Sequence, residues 1–356
     1  MLRDIYEYSY VPTICIRPSE MRALQELPEQ DKDRLFPLVL LAPWVGANSL
    51  GKAIERVKKS YGNRAFFLGI DEYYQIRNDA NPASQQFEAI RQGINGFERY
   101  YEFIEEFREC IPVVNVGTSD TNCLRRQIER AEELGRGFLL SINNFNTPIG
   151  NDRFAIIEAI DHGNFAFHID KGWHLNPLVE EVWYQGICQS IFQIRERAAL
   201  VISAASFPKD FTPFEGIQRV DIGPRKLFRA ISNRFNNERI IYGDWASTKP
   251  RSYQIASTPL PRIDYALRDS WIVARNKTND WDFQTAAERL IVSEHWIDDI
   301  NVWGTYMIRE TADGLPFSIN SAQMASAARI NIHLHMQANY NAPDMVLNTD
   351  DPWEDI

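Results

Sequence analysis

Ala199-Leu-Val-Ile-Ser-Ala-Ala-Ser-Phe-Pro-Lys-Asp-Phe211 opens a stretch that closes with Arg239-Ile-Ile-Tyr-Gly-Asp-Trp-Ala-Ser-Thr248. Leu200 to Ala204 is a short apolar, β-branched run of the kind buried on both faces of a parallel sheet. Ser206-Phe207-Pro208 ends it, because proline cannot donate to a ladder. Pro224 to Phe235 then places Leu227, Ile231 and Phe235 at four-residue spacing, the mark of an amphipathic helix. Ile240 to Tyr242 repeats the apolar run and breaks at Gly243-Asp244-Trp245. Strand, loop, helix, strand makes one βαβ unit, with a polar cluster after each strand.

The same unit recurs upstream. Apolar runs at Val11–Ile16, Pro37–Leu41, Ala65–Ile70, Ile111–Val116, Gly137–Ile142 and Asn164–Ile169 each end in polar residues and lead into helical periodicity. Ser19 reads as a cap for the first helix. Gly93 and Gly96 predict a kink or break in the helical stretch Ser84–Cys110. With the two runs of the opening stretch the strands number eight, which points to a (β/α)8 TIM-like barrel in about 250 residues. An open, doubly wound sheet is the alternative that strand count alone leaves open.

Beyond Thr248 the texture changes. Arg262 to Arg275 alternates around Arg268-Asp269-Ser270 and reads as a β-hairpin. Helical patterns follow at Phe283–Ile291 and Ala322–Ala338. The expected organisation is a barrel over 1–248, a C-terminal α/β elaboration packed on it over 249–347, and an acidic tail over 348–356. That tail, with Trp353 and Ile356 among carboxylates, has the composition of a disordered segment that docks on a partner protein of the same system.

The chain of 356 residues is 44% hydrophobic and 24% charged, with a net charge of −10. Such a balance disfavours bulk nucleic-acid binding, which needs clustered cations. Cys15, Cys110, Cys123 and Cys188 form no CxxC pair and read as reduced thiols. The first residues carry acids where a signal peptide needs an apolar core, and no apolar run approaches a membrane span, so a cytoplasmic protein is expected.

In a barrel the carboxyl ends of the strands form the functional face. The polar residues ending the runs are Arg17, Asp71, Asn143, Asp170, Lys171 and Asp244, with Thr118 and Ser206 beside them. Asp71, Asp170 and Asp244 are the candidate catalytic groups, able to divide acid and base roles or to hold a cation. Arg17, Asn143, Lys171, Ser206 and Trp245 are the candidate ligand-binding residues, with Trp245 offered for stacking on a planar ligand. An ion-pair network closing the barrel top explains the same residues. His168-Ile-Asp170 and His333-Leu-His335 each separate two side chains by two residues. On a helix the second pair lies about 200° apart. No metal site and no cofactor are assigned, and no phosphate loop, dinucleotide fingerprint or nucleophile elbow is present.

Across nearly its whole length the chain resembles the phage- and mobile-element-associated family called "beta protein". The resemblance runs through Tyr10-Val-Pro12, Glu20, Asp31-Lys-Asp-Arg-Leu-Phe-Pro-Leu38 and Ser206-Phe-Pro208. It continues in Tyr242-Gly-Asp-Trp245, similar to the family's Phe-Gly-Asp-Tyr, in Trp271-Ile-Val-Ala-Arg275, and in Arg329-Ile-Asn-Ile-His-Leu-His335. The resemblance implies ionic residues where this chain has Cys15, Leu40, Gly69, Ser141 and His168. Arg17, Asp71, Asn143 and Asp170 lie two residues later on the same strand face, so either the polar cluster has moved one layer towards the mouth or an ancestral site has been dismantled. It also implies a role in conflict between phage and bacterium, in defence or counter-defence. Two mechanisms fit: a mouth that binds a small phosphorylated or nucleotide-like ligand, or a non-enzymatic sensor, inhibitor or scaffold acting through protein contacts.

Overall fold

The computed structural model describes residues 5–76, 78–117, 120–143, 149–161, 164–236, 239–251, 259–278, 280–342, 344 and 346. The acidic tail 348–356 and Thr118 lie outside the described residues. Eleven strands are present among them: β1 (Tyr10–Cys15), β2 (Leu38–Leu41), β3 (Phe66–Ile70), β4 (Cys110–Asn115), β5 (Phe138–Asn143), β6 (Phe165–Trp173), β7 (Leu200–Ala205), β8 (Gly216–Asp221), β9 (Ile240–Asp244), β10 (Arg262–Ala266) and β11 (Ser270–Arg275). The order β1-β2-β3-β4-β5-β6-β7-β9 closes on itself as a barrel. Its last seam pairs Tyr10 with Tyr242 and Pro12 with Asp244 in parallel register, which rules out the open sheet.

Side chains alternate across each strand, so the barrel has an outer and an inner core. Outside, Ile14, Val39, Leu68, Val114, Leu140, Phe167 and Ile202 pack against the surrounding helices. Inside, Val11, Leu38, Phe67, Ile111, Leu139, Val201 and Ile241 plug the amino-terminal end. The next inward layer holds Thr13, Gly69, Ser141 and His168, too little apolar volume to fill the lumen.

Three features depart from the sequence expectation. Ser19 does not cap the first helix, Pro18–Gln25: Arg17 stands at its N-cap with no side-chain cap bond, and the Ser19 hydroxyl donates to Glu20 at 2.6 Å. The segment between β7 and the helix Gly223–Phe235 contains β8, which pairs antiparallel with β11 from Ser270↔Asp221 to Arg275↔Gly216. Gly-Ile-Gln-Arg-Val-Asp has too little apolar character to announce a strand, and the fully buried β11 decides its conformation instead. A further helix at Trp303–Ala312 also escaped the periodicity reading. The predicted hairpin is β10–β11. The Ser84–Cys110 stretch breaks, as expected, into helices Pro82–Arg91 and Glu98–Glu105, with Gly93, Gly96 and Phe97 at positive φ.

The helix Ala322–Ala338 joins the two cores. Ile330 and Leu334 enter the barrel's outer core, while Ala328, Ile332 and Met336 enter the core under the β10-β11-β8 sheet. A helix buried all round needs no amphipathic stripe, and this one is buried from Ala327 to Ala338 without a break. Among the described residues no helix is long and apolar enough to cross a membrane.

Candidate functional site

The under-filled layer opens a cavity of about 310 Å³ inside the carboxyl half of the barrel. Thr13, Leu38, Leu40, Gly69, Val113, Ser141 and His168 line its depth. Gly69 is one reason it exists: a Cβ there would stand 3.2 Å from Leu40 Cδ2 and 3.3 Å from Leu38 Cδ1. His168 is 2% exposed, yet neither ring nitrogen has a hydrogen-bond partner. The Thr13 hydroxyl, also buried, has none either. Burial lowers the His168 pKa, and Asp170 nearby only partly opposes this, so the imidazole is neutral at pH 7.

The rim is polar and organised. Asp170, the last residue of β6 before its register with β7 shifts, accepts from Trp245 Nε1 at 2.7 Å, from Gly172 N at 2.6 Å and from Ser203 Oγ at 3.4 Å. Its role is therefore to fix the Trp245 indole on the cavity wall. Ser141 Oγ donates to Asn143 Oδ1 at 2.6 Å. Across the mouth, Asn115 Nδ2 donates to Glu72 Oε1 at 2.9 Å. Glu72 is an exposed residue of the mouth; partial desolvation of its carboxyl by the surrounding protein, with Asp71 beside it, raises its pKa. Tyr73 stands half-exposed at the edge and is shared with a neighbouring groove of about 920 Å³. That groove carries Arg17, Lys249 and Arg251 with Trp44, Tyr73 and Tyr74, and among the described residues no carboxylate lines it.

Of the sequence candidates, the structure brings Asp170, Asn143 and Trp245 together around the cavity. Arg17 lines the groove and pairs with Glu20 at 3.3 Å. Asp71 is buried beneath it and pairs with Arg251 Nε at 2.5 Å. Lys171 turns outward to Glu180 and the Trp183 ring. Ser206 Oγ accepts from Gly223 N at 3.1 Å, which ties β7 to the following helix.

Asp244 lies away from the cavity. It accepts from the Tyr10 hydroxyl, from Tyr242 OH at 2.7 Å, from Ala246 N at 2.8 Å and from His333 Nε2 at 2.7 Å. Trp271 Nε1 reaches His333 Nδ1 at 3.3 Å, completing a closed, buried network. His335 points elsewhere, to Asp31 at 2.6 Å and the Val346 carbonyl at 3.0 Å, as its helical position dictates. Among the described residues no group of three His, Cys, Asp or Glu side chains could hold a metal ion. The four cysteines form no disulfide, and burial pushes the Cys15 thiol up to about 12.

Sequence reasoning passed over Thr13, Glu72 and Asn115, and weighed His168 chiefly as a core residue. Asn115 carried a usable signal: it ends β4 on the inward face, two residues beyond Val113. The emptiness beneath it is a property of the closed barrel and has no one-dimensional trace.

The sequence pattern of the family described as "Beta protein" matches residues 10–339. Protein beta of Enterobacteria phage P4 is 28% identical over 340 residues, covering 93% of this chain and 93% of that protein. A solved GH5 xyloglucan-specific endo-beta-1,4-glucanase from a metagenomic library, in complex with cellotriose, is 12% identical with a TM-score of 0.34. That likeness covers 67% of this chain and 80% of the glucanase.

Proposed function

This chain belongs to the Beta protein family, and on that premise we propose that it acts in the cytoplasm, in the conflict between phage and bacterium, as a barrel whose mouth binds a small nucleotide-like ligand. The observation that carries the reading is His168, buried with two unpartnered ring nitrogens on a cavity wall. Leaving a buried polar group unsatisfied costs about 1–3 kcal/mol. A ligand offering a ring nitrogen, amide or carbonyl recovers that cost here and at Thr13. Leu38, Leu40 and Val113 with the fixed edge of Trp245 suit a flat apolar body.

Electrostatics decides which part of the ligand enters. Among the described residues Glu72 and Asp170 face the cavity against a single cation, Arg91, which is already bonded to the Tyr74 carbonyl at 2.9 Å and to Glu88 at 2.5 Å. A phosphate would be repelled inside, so the uncharged, base-like part enters and any anionic part remains outside. Recognition without turnover has its own support. Ser141 donates to Asn143 rather than to His168, so no nucleophile–base pair is assembled on the cavity wall among the described residues.

The test is calorimetric titration of a nucleoside and nucleotide panel into the wild type and into His168→Leu, which keeps volume and removes both nitrogens. The reading predicts binding to the wild type and at least about a tenfold loss in the variant, one hydrogen bond's worth. Equal affinity in the two proteins overturns it.

A further inference from the structure

The net charge of −10 conceals a local excess of cations on the barrel's carboxyl face. Lys209 lies just after β7 and Lys249 just after β9, and these two strands are paired neighbours in the barrel, so their loops leave it side by side. Lys249 is half-buried and has no ion-pair or hydrogen-bond partner among the described residues. Lys209 rests its ammonium over the Trp173 ring, 3.6 Å from the centroid, and has no carboxylate partner among the described residues. Arg262 stands over the Phe211 ring at 3.4 Å and shares Asp264 with Arg329, at 2.8 and 2.9 Å, so one carboxylate serves two guanidinium groups. Asp210, beside Lys209, is engaged by Thr212 through its amide at 2.9 Å and its hydroxyl at 2.8 Å.

We propose that Lys209, Lys249 and Arg262, with Arg17 at the groove wall, form a binding site for a phosphate or pyrophosphate group. Several observations agree on it. Arg17 and Lys249 line one groove, and Arg262 shares Asp264 with Arg329, whose Nε donates to Ser247 Oγ at 3.3 Å, two residues before Lys249. In keeping with that placement, burial lowers the Lys249 pKa and Lys209, Arg17 and Arg262 lower it further. Arg17 and Arg262 each hold one carboxylate, Glu20 and Asp264, while Lys209 and Lys249 hold none among the described residues, so the four cations keep a net positive charge whose mutual repulsion a bound dianion converts into attraction. Two of them are pinned on aromatic faces, which fixes their direction before any anion arrives.

The site adjoins the cavity. Trp245, on the cavity wall, packs with Trp173, whose ring carries Lys209. What the phosphate is attached to rests on the nucleotide-like reading above; the anion site itself does not.

Inorganic pyrophosphate is the probe, with sodium chloride at matched ionic strength as control. In the wild type, pyrophosphate raises the melting temperature and chloride does not. In Lys209→Met/Lys249→Met the shift disappears and pyrophosphate affinity falls at least tenfold, while the melting temperature without anion stays equal to the wild type or rises, because repulsion is relieved. In His168→Leu the pyrophosphate shift persists. No shift in the wild type, an equal shift with chloride, or an unchanged shift in the double variant overturns the proposal. A pyrophosphate shift with no nucleotide bound more tightly than pyrophosphate sinks the cavity reading and leaves the anion site standing.

Discussion

His168 and Asp244 are both buried titratable side chains on barrel strands, yet they respond to acid in different windows. The folded-state pKa of His168 is depressed by burial, so in the unfolded chain it takes up a proton near its ordinary value of about 6.5 while the folded chain does not. The unfolded state then binds more protons, and stability falls as pH drops below that value. His168→Leu is expected to flatten this part of the stability–pH curve, measured by urea denaturation from neutral pH downward. For Asp244, burial pushes the carboxyl up, but His333 and the Tyr10 and Tyr242 hydroxyls outweigh it and hold the pKa below the usual carboxylate range. Its contribution is present above the ordinary carboxylate pKa and is lost as pH falls through the lower folded value. Asp244→Ala leaves His333 and two tyrosine hydroxyls unpaired in the core and should cost about 3–5 kcal/mol in denaturant unfolding. A stable Asp244→Ala protein would contradict this structural role.

At the scale of elements, the helix Ala322–Ala338 holds the molecule together. The motifs through which the chain resembles its family converge on it. Tyr10 and Tyr242 reach His333 through Asp244; Trp271 touches His333 directly; Asp31 binds His335; Arg329 pairs with Asp264. Those motifs therefore record chiefly how the barrel is fastened to its C-terminal partner; of their residues, Leu38 and Trp245 also line the cavity. Helix Trp303–Ala312 meets the closing helix at Gly304, where a Cβ would fall 2.4 Å from the Ala328 carbonyl and 2.6 Å from Ile332 Cγ1. Gly304→Ala should cost about 1–3 kcal/mol by overpacking, read as a lowered denaturation midpoint with unchanged slope.

The legibility of these elements follows from their burial. Barrel strands such as Leu200–Ala205 are buried on both faces and so appear as unbroken apolar runs. β8, with no buried residue, exposed at Gln218, Arg219 and Asp221 and decided by its partner, does not. The site was legible where a polar residue ends an inward strand face, as at Asn143 and Asp170. It was illegible where a residue's partner is remote: Asp244 looked like a mouth residue because Tyr10 and His333 lie 234 and 89 positions away.

At the scale of the whole molecule, charge is segregated. Acids dominate the chain, cations gather on the carboxyl face between barrel and C-terminal sheet, and the cavity rim stays acidic. Among the described residues the anchoring contact furthest along the chain joins His335 to the Val346 carbonyl. Deleting residues 348–356 should leave the melting temperature unchanged and abolish co-purification with a partner protein; a lowered melting temperature would show instead that the tail docks on its own chain. The most direct test of the central claim, that the barrel lumen holds a small ligand against His168, is native mass spectrometry of the protein titrated with nucleosides and nucleotides. The account predicts a one-to-one adduct in the wild type that is lost in His168→Leu, and it is contradicted by the absence of any adduct in the wild type or by an adduct of equal abundance in the variant.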